Sequence, residues 1–227
     1  MGSAILYSEM IPEKEWEERF NRWYDTEHIP IRMQIPGFKC ARRYREVNAR
    51  KYLAVYEIDD IHVLHSDEYR SIKENSSEET RWMLSSVSGF TRYIGMKTSE
   101  QVDVGTGVSV YEAPFLYAVA FTVPIEREKE FNEWYTVDHV PTLLRHPDWW
   151  ACRRYRIVEG EPDTFTHLAL HYLAGLEALQ SKERQEARSS PWRARLAKEG
   201  WFRGVYTVFE KINSFSGRYS VRDEINN

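Results

Sequence analysis

Phe20-Asn-Arg-Trp-Tyr-Asp-Thr-Glu-His-Ile-Pro30 returns 111 residues later as Phe131-Asn-Glu-Trp-Tyr-Thr-Val-Asp-His-Val-Pro141. The correspondence runs without a gap to Arg42-Arg-Tyr-Arg45 and Arg153-Arg-Tyr-Arg156. Self-similarity at this period marks two copies of one domain-sized unit. The 227 residues therefore divide into halves of about 105 residues, each large enough for one modest core. What both copies keep is expected to serve the shared fold, and what differs points to the working site.

Outward from the repeat, both halves share one order. An apolar run, Ala4–Tyr7 or Phe115–Phe121, reads as a strand. Pro12 and Pro124 mark the turn into a helix, where a missing amide proton costs little. That helix carries Trp16, Phe20, Trp23 and Tyr24, or Phe131, Trp134 and Tyr135, at spacings that make one aromatic stripe. Pro30 and Pro141 disfavour helical geometry at the preceding residue, so each helix is expected to end or kink beside its histidine. Segments 39–46 with 52–58, and 150–157 with 166–172, read as hairpins, the second loop longer by Gly160-Glu-Pro-Asp163. Polar helical stretches at 66–84 and 181–198 precede last strands near 89–94 and 200–205.

The order is β-α-β-β-α-β twice, the ferredoxin-like split pattern. The expected fold is α+β, with ferredoxin-like halves at 1–104 and 114–212, a linker at 105–113 and a polar tail at 213–227. Helices cover one face of each antiparallel sheet, and the duplicate half supplies cover for the other. The two sheets are accordingly expected to pack as an intrachain α+β barrel.

Composition bounds the function. Hydrophobic residues are 42% and charged residues 29%, as in ordinary globular chains. A net charge of −4 with interleaved signs argues against nucleic acid as a partner. Aromatic residues reach 14%, which predicts an aromatic-rich interior or pocket. Cys40 and Cys152 sit at non-equivalent repeat positions, so two free thiols in a reducing cytoplasm are expected. No apolar run approaches the ~20 residues of a membrane span, and the N-terminus lacks signal-peptide features.

His28 and His139 lead the chemical candidates. Each follows a carboxylate (Glu27, Asp138) and precedes a proline, near a helix end whose dipole favours an imidazolium. Each could move protons, or could cap the carbonyls freed by proline. Asp25, three residues before His28, is placed to orient its imidazole as a general base, whereas the second half has Thr136. In Arg42-Arg43 and Arg153-Arg154, neighbouring arginines must face opposite ways. Buried cations need partners, so Glu27 and Asp138 could clamp them, or Arg43 and Arg154 could hold a substrate anion. Trp23, Tyr24 and Tyr44, with Tyr135, are core residues or cleft donors to an oxyanion. Tyr7, Tyr56, His171, Trp149 and Trp150 lack identical counterparts and could form pocket walls. His167 and His171 lie ~13 Å apart along a strand, too far to chelate one metal. No P-loop, GxGxxG, zinc-protease helix or nucleophile elbow occurs.

At Trp23-Tyr-Asp-Thr-Glu-His-Ile-Pro30 and Trp134-Tyr-Thr-Val-Asp-His-Val-Pro141 the chain resembles the dimeric α+β-barrel superfamily, closest to its EthD-like branch. The resemblance implies polyketide cyclase, dehydratase, isomerase, cofactor-free monooxygenase or haem chemistry, in a cleft between sheet and helices. By that likeness His28, Asp25, Tyr24 and His139 would be acid/base residues, and Arg43, Tyr44, Trp23, Arg154 and Tyr135 would contact substrate. The expectation is a cofactor-independent lyase- or isomerase-type enzyme, using no metal, on a small hydrophobic, aromatic or polyketide-like compound. A non-catalytic binding protein for such a ligand, a cofactor-free oxygenase and a haem protein are the alternatives. The internal duplication leaves self-association into a homodimer open.

Overall fold

The computed structural model describes residues 2–105 and 107–218. Its strands are β1 (Ala4–Met10), β2 (Phe38–Glu46), β3 (Tyr52–Ile58), β4 (Arg92–Val102), β5 (Phe115–Phe121), β6 (Trp149–Glu161), β7 (His167–Leu173) and β8 (Val205–Ser216). Their hydrogen-bonded order, β1-β3-β2-β8-β5-β7-β6-β4, is that of a closed barrel. The fold is therefore α+β with a barrel sheet, as the repeat implied. Two compact units share the chain, one formed by residues up to 96 with 158–162 and the segment from 212, the other by 97–157 and 163–211. The unit boundaries fall inside β4, β6 and β8, and β8 runs past Ile212 into the stretch read as tail.

In the first unit β1 lies between β3 and β4, and β2 extends the sheet beyond β3, all antiparallel. In the second, β5 lies between β7 and β8, with β6 beyond β7. Both hairpins carry a register shift at the same repeat position, between Phe38 and Cys40 and between Trp149 and Ala151. Such a bulge re-aims the side chains that precede it.

Each sheet is covered by the aromatic stripe of its first helix. In the first unit this is α1 (Glu17–Trp23), a π-helical turn (Tyr24–His28) and α2 (Ile29–Arg32). Phe20 is wholly buried against Tyr24 and Tyr52, with centroid separations of 5.2 and 5.3 Å. Burial of a phenylalanine of this kind contributes about 1.5–3 kcal/mol. Phe131 repeats the arrangement in α5 (Glu128–Trp134), which a second π turn (Tyr135–His139) joins to α6 (Val140–Leu143).

The polar stretches each form two helices where the sequence suggested one. They are α3 (Asp67–Glu74) and α4 (Glu78–Ser86), then α7 (Lys182–Ser189) and α8 (Pro191–Leu196). The breaks come from serine N-caps, which stop the preceding helix by taking extended geometry. Ser66, Ser77, Ser181 and Ser190 each accept a backbone N–H three residues on. The last strands begin later and run longer than expected: of residues 87–91 only Ser88 pairs, in a single bridge to Ile11, and 202–204 lie outside β8. Among the described residues no helix is long and apolar enough to cross a membrane.

Candidate active site

The helix does not end at Pro30. Proline in an α-helix loses a hydrogen bond and its ring strikes the carbonyl four residues back. The chain answers with the π turn: the Ile29 N–H reaches the carbonyl of Tyr24, five residues back, and Pro30 then occupies the first turn of α2. Val140 and Tyr135 do the same before Pro141. Single π turns of this kind recur at functional sites.

The π turn undoes the expected pairing of Asp25 with His28. Three residues share a face in an α-helix, but the wider i→i+5 turn carries them apart. The Asp25 carboxylate instead accepts from Arg43 Nη1 at 2.6 Å and from Asn213 Nδ2 at 3.2 Å. Arg43 is 1% exposed, donates also to Asn21 Oδ1 at 2.7 Å, and lies 4.6 Å from the Tyr24 ring. In the second unit Arg154 donates to Asn132 and, at 3.4 Å, to Thr136. Arg43 and Arg154 thus anchor the first helix of their unit to the sheet. Glu27 and Asp138 are not their clamps: Glu27 accepts from Ser77 and Thr80, and Asp138 from Ser190 at 2.5 Å. These carboxylates tie the π turns to the caps of α4 and α8.

His28 is buried, with its ring 4.3 Å from that of Trp23 and 4.8 Å from that of Tyr24. Nδ1 is fully buried and has no hydrogen-bond partner among the described residues. It therefore caps no carbonyl through that atom. Burial, with the Arg32 and then the Arg43 charge, pushes its pKa well below the usual histidine value. The imidazole is neutral, where the helix end alone suggested an imidazolium. His139 reaches Ala187 O at 3.4 Å, and burial lowers its pKa to about 3.

His28 lines a cavity of about 240 Å³ in the first unit. Leu6, Ser8 and Met10 of β1 form its floor, and Tyr24, Tyr56 and Tyr69 surround it with phenols. The Tyr56 hydroxyl is buried beside the Tyr24 phenol, in a contact short of full hydrogen-bonding geometry. Burial raises the pKa of both Tyr56 and Tyr24, so both phenols stay protonated. Arg32, Lys73 and Arg92 bring three cations to the wall against one carboxylate, Glu161. Arg32 donates to His28 O at 2.7 Å, and Arg92 lies 3.8 Å from Glu159. The space is near the small end of ligand pockets. It suits a compact apolar molecule with an oxygen that is, or becomes, anionic.

The equivalent space in the second unit is nearly closed, at about 30 Å³. Tyr117, Phe121 and Trp149 stand where the first half has Leu6, Met10 and Phe38. His171 stands where it has Tyr56, fixed by Tyr135 Oη on Nε2 and Trp149 Nε1 on Nδ1, both at 3.1 Å. Cys152 sits 3.8 Å from His171, its thiol pushed up to about 12 by burial.

Of the residues read from sequence, the structure brings His28 and Tyr24 to the first cavity and His139 and Tyr135 to the second pocket. Trp23 donates to Thr80 Oγ1 at 2.9 Å in the core, and Arg43, Tyr44 and Arg154 line neither space. Tyr56, His171 and Trp149 are walls, whereas Tyr7 and Trp150 are not. Arg32, Lys73 and Glu161 were missed. The signal for Arg32 was available, since the second half has Leu143 there.

No protein-family model matches the chain, and none of the curated proteins compared with it does. Solved structures do match. An anthrone oxidase-like protein superposes with a TM-score of 0.68 at 10% identity, covering 96% of this chain and 94% of that one. A proposed monooxygenase from Fusobacterium nucleatum subsp. nucleatum gives 0.60 at 10% identity, covering 95% of each chain. A mutant chlorite dismutase from Candidatus Nitrospira defluvii, in complex with cyanide, gives 0.55 at 10%, covering 92% of this chain and 90% of that one. At this identity the likeness establishes the fold alone, an α+β barrel.

Proposed function

We propose that the first unit is a cofactor-independent active site that removes a proton from a small aromatic or polyketide-like compound. One observation carries the reading: on the wall of one apolar cavity stand His28, whose buried Nδ1 has no partner among the described residues, and the buried Tyr56 hydroxyl, which has only the Tyr24 phenol beside it. Buried polar groups are nearly always paired, and a bound ligand would complete these. His28, kept neutral by burial, takes a proton from a C–H or O–H of the ligand. The electron pair stays on the ligand as an enolate or phenolate oxygen. Tyr56 donates to that oxygen and the Arg32 guanidinium offsets its charge. The new anion also counters the Arg32 field that disfavours a charged His28, so proton and anion form together. Return of the proton to another atom gives the cyclase, dehydratase or isomerase outcome.

The anthrone oxidase-like and monooxygenase neighbours favour a second reading from the same first step. Dioxygen would then accept the electrons of the ligand anion. A haem does not fit these residues. The cavity of about 240 Å³ is too small for a macrocycle, and both nitrogens of His171 are bonded. No group of three metal-ligating side chains occurs among the described residues. Cys40 and Cys152 are not joined in a disulfide, which agrees with a cytoplasmic protein, and a homodimer is compatible with the duplication.

The test uses an anthrone, such as dithranol, as trial substrate, with product formation and dioxygen uptake followed together. Turnover lost by roughly 100-fold or more in His28→Asn supports the base, and dioxygen uptake separates oxygenase from lyase or isomerase. Saturable binding without turnover would make the protein a carrier. Unchanged turnover in His28→Asn would remove the proposed mechanism.

A further inference from the structure

The second unit holds a cluster of cations that the proton-transfer reading leaves without a task. Arg184 and Arg188 lie one turn apart on α7, and Arg193 comes from α8. All three line the narrow pocket beside His139 and the stacked rings of Tyr117 and Tyr206, whose centroids are 6.0 Å apart. In the first half Tyr69 and Lys73 occupy the positions of Arg184 and Arg188, counted from the capping serines Ser66 and Ser181.

None of the three arginines forms an ion pair among the described residues, and the carboxylates around them are turned elsewhere. Glu183 is 3.8 Å from Lys182, Glu186 pairs with Arg145, and Asp138 accepts from Ser190. Arg184 and Arg193 spend one donor each on the carbonyls of Leu179 and Arg188, at 2.7 and 3.0 Å. Arg184 also donates to the Tyr117 hydroxyl, and the Arg188 guanidinium has no protein acceptor among the described residues. Converging cations repel one another, and the repulsion is relieved when an anion enters. Their field reaches the pocket walls. Burial raises the Tyr117 pKa, and Arg184 and then Arg188 oppose that rise. Arg193 and Arg188 add to the burial that depresses His139.

We propose that this pocket is an oxyanion site, holding the carboxylate or phosphate group of a small molecule between Arg184, Arg188 and Arg193. About 30 Å³ excludes a ring, so the oxyanion head sits at the pocket mouth among the arginines and any organic part of the ligand stays outside. Planar guanidinium forks suit such oxygens. The site is separate from the first-unit cavity and does not depend on its chemistry.

Titration calorimetry with inorganic phosphate, and separately with benzoate, tests this at constant ionic strength set by sodium chloride. Saturable binding of either is expected; phosphate alone identifies a phosphate site and benzoate alone a carboxylate site. Arg188→Gln, at an exposed position, should weaken that binding by roughly tenfold or more, with its urea unfolding midpoint unchanged. The proposal fails if neither probe saturates, if Arg188→Gln binds as the parent does, or if the loss follows Lys73→Gln in the first unit instead.

Discussion

Asp25→Thr places in the first unit the residue that the second unit already carries, which makes the molecule its own control. The change removes the 2.6 Å Arg43 bond and the 3.2 Å Asn213 bond. In return Arg43 can gain a contact of the Arg154–Thr136 kind, at 3.4 Å. Arg43 keeps Asn21 Oδ1 and the Tyr24 ring, so it is not stranded, and the ~3–5 kcal/mol cost of orphaning a buried ion is not reached. A charge-assisted bond is worth about 1.5–3 kcal/mol. The Asp25 side chain is 32% exposed, which lowers that toward about 1–2 kcal/mol. In a domain of this size the melting temperature should fall by roughly 2–8 °C, and urea unfolding should show the same loss. Affinity and turnover at the first-unit cavity should stay within about a factor of two, because Asp25 does not line it. A variant with parental stability but abolished turnover would refute the structural role and restore Asp25 as the partner of His28. The reciprocal Thr136→Asp, which gives Arg154 a carboxylate, should stabilise by about 1 kcal/mol.

Acid should unfold the protein early. The folded pKa values of His28, His139, His167 and His171 all lie below the ordinary value, chiefly from burial. The unfolded chain therefore binds protons that the native chain refuses, and stability is lost as pH falls through about 6.5. Each histidine contributes about 1 kcal/mol of that loss between pH 7 and 5.5, so flat urea midpoints over this range would contradict neutral buried imidazoles. Filling the first cavity as the second is filled, with Leu6→Tyr and Met10→Phe together, should abolish dithranol binding followed by tryptophan quenching. Retained binding in a folded double variant would place the ligand elsewhere.

The fold was legible because the repeat, the aromatic stripe and the alternating strands all point one way. The site was legible only in part. His28 stood out by sequence, but its environment depended on a π turn that no residue spacing announces, so Asp25 was assigned to the wrong neighbour. The serine caps that split the polar helices were visible at Ser77 and Ser190, yet the polar run hid them. The difference that most separates the halves lies in the bulk at Leu6, Met10 and Phe38 against Tyr117, Phe121 and Trp149. Such residues read as ordinary core until a cavity is seen between them. Arg32, Lys73 and Glu161 meet there from three distant segments, which periodicity cannot bring together.

A crystal structure of the protein soaked with dithranol tests the asymmetry of the two units most directly. The account predicts ligand in the first-unit cavity, with an oxygen in hydrogen-bonding reach of Tyr56 Oη and the ring system against His28. Ligand seated in the second-unit pocket, or bound away from His28 while the first cavity stays empty, would contradict it.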